Sequence, residues 1–107
     1  MSMATTAELP QGLARAIAML GDAYVLGILC QLSRGNLRFN ELQRALGGVN
    51  PTTLSDRLKK LEREEILHRE VETIDKLSVQ YVLTEKGRAL LPITTELRRF
   101  ASQYYHS

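Results

Sequence analysis

The chain has 107 residues, 44% of them hydrophobic and 24% charged, with a net charge of +2 and a single cysteine, Cys30. That length suits one domain with a modest core, and no run approaches the roughly 20 apolar residues of a membrane span. The opening MSMATTAE lacks the basic and apolar regions of a secretory leader, so a cytoplasmic protein is expected, and a lone thiol excludes an internal disulfide.

Residues 1–8 are expected to form a disordered tail and residues 9–107 a single domain. Leu9, Leu13, Ala16, Ile17 and Leu20 recur at helical spacing until Gly21, which predicts a first helix. Asp22 is placed to N-cap a second, whose dense apolar run Tyr24, Val25, Leu26, Ile28, Leu29 and Leu32 belongs in the core. Cys30 lies inside that run and reads as a small core side chain. Leu37 to Phe39 is short and extended. Asn40, with Gln43 three residues on, is expected to cap a third helix that Gly47-Gly48 ends.

The fourth helix has the sharpest start. Asn50 is the N-cap, Pro51 occupies the first turn, and Val49 can staple onto Leu54. It is expected to run over 51–65 and to bury one stripe, Leu54, Leu58 and Leu61. Two helices around a short glycine turn make a helix-turn-helix. The period then changes, because Leu67, Arg69, Val71 and Thr73 alternate with His68, Glu70 and Glu72, and a second extended run follows over Val79 to Leu83. The pair predicts a β-hairpin with its tip near Ile74 to Ser78. Thr84 is expected to cap a last helix reaching about Tyr105, in which Pro92 produces a bend or marks the true start. The predicted fold is α+β and mostly helical: a winged helix-turn-helix with a two-stranded wing and terminal dimerisation helices.

Charge is unevenly distributed. From Arg34 to Lys60, Arg34, Arg38, Arg44, Arg57, Lys59 and Lys60 stand against Glu41 and Asp56, a local balance of +4 that leaves the rest of the chain at −2. Such clustering attracts phosphates. At about 100° of rotation per residue, Thr52, Asp56, Lys59 and Arg63 lie about 140–200° from Leu54, with Ser55 and Lys60 flanking them. Because the N-terminal part of such a helix reaches base edges, Thr52, Thr53, Ser55 and Asp56 are the candidates for reading bases. Arg57, Lys59 and Lys60 suit phosphates, and Arg38 and Asn40 add backbone contacts from the start of the preceding helix. Asp56 repels phosphate, so it either accepts from cytosine or organises Arg57 or Lys60. The wing tip offers only Lys76, in a supporting role.

The terminal stripe Leu90, Ile93, Leu97, Phe100 and Tyr104 is more apolar surface than one small domain covers, so it is expected to pair with a second copy and with Leu9, Leu13 and Ile17. For catalysis there is little: His68 and His106 are far apart, and no phosphate loop, metal-ligand pair or nucleophile motif occurs. No enzyme, metal site or cofactor is expected.

The residues also carry a family resemblance, covering about Leu13 to Tyr104. The chain resembles the HxlR-type regulators, relatives of the MarR group, in Arg38-Phe39-Asn40-Glu41-Leu42, in Leu54-Ser55-Asp56-Arg57-Leu58-Lys59-Lys60-Leu61-Glu62, in Tyr81-Val82-Leu83-Thr84-Glu85-Lys86-Gly87, and in Leu90-Leu91-Pro92. The resemblance implies a prokaryotic homodimer whose terminal helices pair and whose recognition helices enter major grooves of double-stranded DNA. It departs from the family pattern at Gly21-Asp22-Ala23-Tyr24, where members often have a Gly-Gly-Lys-Trp-like stretch, and at Glu65, where they often have glycine. Redox-sensing relatives place a cysteine before a proline near what is Gln11 here, so thiol sensing by that route is not expected. The alternative to a regulator is a winged helix used only for protein interactions, against which the cationic face of Lys59, Lys60 and Arg63 argues. A small-molecule effector between the subunits fits such a fold, though no residue identifies its chemistry.

Overall fold

The computed structural model describes residues 8–71 and 78–105. Residues 1–7, 72–77 and 106–107 lie outside the described residues, and with them nearly all of the expected tail, most of the wing tip including Lys76, and His106.

Helix α1 (Gln11–Leu20) buries no residue completely. It closes at Gly21, whose N–H donates to the Ile17 carbonyl at 2.7 Å. Asp22 then caps α2 (Ala23–Leu32) as its side-chain chemistry predicts: Oδ1 accepts from the backbone N–H of Tyr24 at 2.8 Å and of Val25 at 3.1 Å. Helix α2 is the central element, with Val25, Ile28 and Leu29 wholly buried.

Two starts differ from the sequence expectation. Leu37–Arg38 is the extended piece, strand β1, while Phe39 already belongs to helix α3 (Phe39–Ala45). Asn40 is therefore in the first turn and not the cap. Instead Glu41, at the third helical position, reaches back to accept from the Arg38 backbone N–H at 2.8 Å, half of a capping box. Gln43 spans the turn instead, donating through Nε2 to the Val49 carbonyl at 2.9 Å.

Helix α4 (Pro51–Arg63) begins where expected and buries Leu54, Leu58 and Leu61. Strands β2 (Leu67–Val71) and β3 (Val79–Leu83) pair antiparallel from Leu67 opposite Leu83 to Val71 opposite Val79. Strand β1 adds itself to the far side of β3, with Leu37 opposite Tyr81, so the two-stranded wing and the short extended piece before α3 join in one sheet of order β1-β3-β2. The final helix is broken. Thr84 caps only α5 (Glu85–Arg88), and α6 (Leu91–Tyr104) starts afresh with Pro92 in its first turn.

Ile66, Leu67 and Leu83 close the core against α2 and α4. Their junction depends on Gly87, which is buried; a Cβ there would lie 2.0 Å from the Ile66 carbonyl oxygen. Thr84 Oγ1 accepts from the Gly87 N–H at 3.0 Å and donates to the Glu65 carbonyl at 2.6 Å, tying the wing root to the exit of α4. At the other end, Arg98 of α6 donates to the Cys30 carbonyl at 2.8 Å, which holds α6 on α2.

Candidate nucleic-acid interface

The turn between α3 and α4 is built from backbone that only glycine adopts readily. Gly47 and Gly48 have φ of 78° and 77°, and their N–H groups donate to the carbonyls of Arg44 (3.1 Å) and Gln43 (2.8 Å), ending α3 in a Schellman pattern. Asn50 Oδ1 then accepts from Thr52 N at 2.8 Å and Thr53 N at 3.3 Å, while Val49 beneath it is buried. The start of α4 is thus fixed by backbone geometry, a cap and an apolar anchor together.

Helix α4 ends the same way without glycine. Ile66 N–H donates to Leu61 O at 2.9 Å and Glu65 N–H to Glu62 O at 3.0 Å, with Glu65 at φ 61°. A side-chain-bearing residue in this region costs on the order of 1 kcal/mol. Leu61 and Ile66, buried at 0% and 1% exposure, provide the apolar contact that holds the motif closed.

Between these fixed ends Thr52, Asp56, Lys59, Glu62 and Arg63 are exposed, and Thr53, Ser55 and Lys60 are half-buried. Arg38 and Asn40 are exposed at the start of α3. The side chains of Lys59, Lys60 and Arg63 make no hydrogen bond or ion pair among the described residues. Arg57 is different. It turns away from the exposed face toward α2, where its Nε donates to Asp22 Oδ2 at 2.8 Å and its guanidinium carbon stands 5.5 Å from the centre of the Tyr24 ring. Burial pushes the Asp22 carboxyl up, but the Arg57 bond and charge, with the N–H groups of Val25 and Tyr24, outweigh it and hold the group below its usual value. Arg57 is thereby a fastener between α4 and the start of α2, and Asp56 has no part in organising it.

Sequence reasoning missed Arg69. In the alternation of β2 it shares the phase of Leu67, which is buried, yet Arg69 is exposed and sits opposite Tyr81 on β3. An arginine in an inward phase was the available signal. On α1 and α6, Leu13, Ile17, Ile93, Leu97, Phe100 and Tyr104 are all exposed, joined by Tyr105, whose ring lies 5.6 Å from that of Phe100. Leu9 is half-buried, and Leu90, also half-buried, packs on the core. Among the described residues no single helix is long and apolar enough to cross a membrane.

The profile of the HxlR-like helix-turn-helix family matches residues 19–107. The chain is 37% identical over 90 residues to YvaP, an HTH-type transcriptional regulator of Bacillus subtilis, covering 84% of this chain and 83% of YvaP. It is 35% identical over 89 residues to YodB, an HTH-type transcriptional regulator of the same organism, covering 83% and 80%. The structure is similar to that of reduced YodB, with a TM-score of 0.73, 32% identity and coverage of 90% and 94%. It is likewise similar to a MarR-family transcriptional regulator from Porphyromonas gingivalis, with a TM-score of 0.79, 28% identity and coverage of 91% and 93%.

Proposed function

The chain belongs to the HxlR-like helix-turn-helix family of DNA-binding transcriptional regulators, and on that premise we propose that it acts in the cytoplasm as a homodimer on an inverted-repeat operator. The observation that carries this reading is α4 itself. Its apolar stripe is spent on the core, its N-terminal end is fixed by Asn50 and the two glycines, and its solvent face carries hydroxyls followed by cations that have no partner among the described residues. Thr52, Thr53, Ser55 and Asp56 are the base-reading residues; Lys59 and Lys60, with Arg38 and Asn40, hold phosphates. Lys76 retains its supporting role as an expectation from sequence.

Pairing uses α1 and α6. Leu13 and Ile17 on α1, and Ile93, Leu97, Phe100 and Tyr104 on α6, are large apolar side chains left exposed, of the kind that marks an interface. Leu9 contributes at the edge, whereas Leu90 supports the face from below. Two-fold symmetry then requires half-site centres about one helical turn, roughly 10 base pairs, apart. Selecting fragments from a random DNA pool and titrating the purified protein at 50 mM salt tests the reading. An inverted repeat of that spacing, bound with strong salt dependence, is the expected result. No salt-sensitive binding would overturn it in favour of a protein-interaction module. Replacing Leu97 and Phe100 with Asp should yield a monomer in sedimentation.

A further inference from the structure

Between the wing-side flank of α4 and the sheet lies a cleft of about 230 Å³. Its floor is apolar: Leu58 is buried, and the rings of Phe39 and Tyr81 are half-buried. Its rim is polar. Ser55, Lys59 and Glu62 stand along one side on α4, and Arg69 stands on the other, on β2. Arg69 and Tyr81 are directly opposed across the β2–β3 ladder, so their side chains lie on one face of the sheet. Neither the Arg69 guanidinium nor the Lys59 ammonium has a hydrogen-bond or ion-pair partner among the described residues, and Glu62 is the cleft's single carboxylate.

Resting on the regulator reading, we propose that this cleft seats the sugar–phosphate backbone of one DNA strand as it passes between the recognition helix and the wing, with Arg69 as the wing-side phosphate ligand. The chemistry matches part by part. A phosphodiester needs cationic donors, which Arg69 and Lys59 supply from opposite walls, and the planar guanidinium can grip two phosphate oxygens at once. Tyr81 adds a hydroxyl donor. The C–H surface of deoxyribose needs an apolar bed, which Leu58, Phe39 and Tyr81 provide. The position also fits, because the cleft runs along α4 from Ser55 to Glu62, one turn beyond Thr52 and Thr53 at the base-reading end. Glu62 opposes the phosphate electrostatically and limits affinity from within the same cleft.

The test measures binding by fluorescence anisotropy between 50 and 200 mM salt, on the selected operator and on random DNA. Arg69→Ala should weaken both by roughly ten- to hundredfold near 100 mM salt, and make the salt dependence shallower by about one for each subunit. Arg69→Lys should keep the salt slope while losing part of the affinity. Glu62→Gln should move the other way, tightening binding to both DNAs severalfold. If the wild-type protein binds its operator and Arg69→Ala binds with the same affinity and slope, the cleft is no phosphate seat and the regulator reading survives. If the wild-type protein binds no DNA, both fall. Equal melting temperatures for Arg69→Ala and wild type tie any loss of binding to the site and not to folding.

Discussion

The two flanks of α4 carry the same kind of charge and use it differently. On the α2 side, Arg57 is consumed within the molecule, bonded to Asp22 at 2.8 Å and laid near the Tyr24 ring. On the wing side, Lys59 and, across the cleft, Arg69 bond to nothing among the described residues. The exposures agree with that division: the Arg57 side chain is 32% exposed, and both Lys59 and Arg69 are open to solvent. A basic residue on a recognition helix is therefore not by itself a phosphate contact; its role depends on whether a carboxylate has already claimed it. The flanks are also held by different means, a charge pair on one side and close backbone packing at the wing root on the other.

The largest effect should come from attacking that packing. Gly87→Ala would place a methyl group 2.0 Å from the Ile66 carbonyl oxygen, forcing backbone to move, and should cost about 3 kcal/mol or more in urea unfolding. A loss under 1 kcal/mol would show that the wing root is more yielding than described. The charge pair comes next. Asp22→Ala removes both the α2 cap and the partner of Arg57, and should cost about 2 kcal/mol, half of it from the cap. Asp22→Asn keeps a capping acceptor and isolates the pair. Because folding lowers the Asp22 pKa, its contribution is complete above the unfolded value of about 3.9 and fades as pH falls through the folded value. The stability gap between wild type and Asp22→Asn should be flat from pH 7 to 5 and should narrow below about pH 4.

Where both flanks end, Glu65 holds a left-handed backbone conformation. Glu65→Gly should raise stability by about 1 kcal/mol, or a few degrees in melting temperature, since its carbonyl bond to Thr84 does not depend on the side chain. The smallest change in stability, and the sharpest contrast, comes from pairing two alanine variants. Lys59→Ala should leave the melting temperature unchanged and reduce the salt slope of DNA binding by about one per subunit. Arg57→Ala should lower the melting temperature and leave the slope nearly intact. Identical behaviour of the two would erase the distinction between the flanks.

Much of this was legible in the sequence because it is local. Asn50-Pro51 and Asp22 declare helix starts through side chains that act two or three residues away, and Leu54, Leu58 and Leu61 declare a buried face through spacing alone. Pro92 marked the break before α6. The misplaced features depend on long-range partners. Asn40 looked like a cap, but β1 pairs with β3 and fixes Leu37 and Arg38 as strand, so the helix starts at Phe39 and the reach of Glu41 decides the cap. Arg57 looked like a phosphate ligand because the carboxylate that claims it is 35 residues away. Arg69 was hidden for another reason: only the packing of the hairpin against α4 makes it a neighbour of Lys59.

Helix α4 is gripped near its C-terminal end by α1 and α5. Arg15 of α1 donates to Glu64 Oε1 at 3.0 Å, and Lys86 of α5 donates to the Glu64 carbonyl at 2.7 Å. From Glu64 to Thr52 the rod is about 18 Å long, at about 1.5 Å per residue. With its other end clamped by Val49, Asn50 and the Arg57–Asp22 pair, the rod has no free arm, so a displacement of α1, the helix with no fully buried residue, reaches the base-reading end only by carrying the whole helix with it.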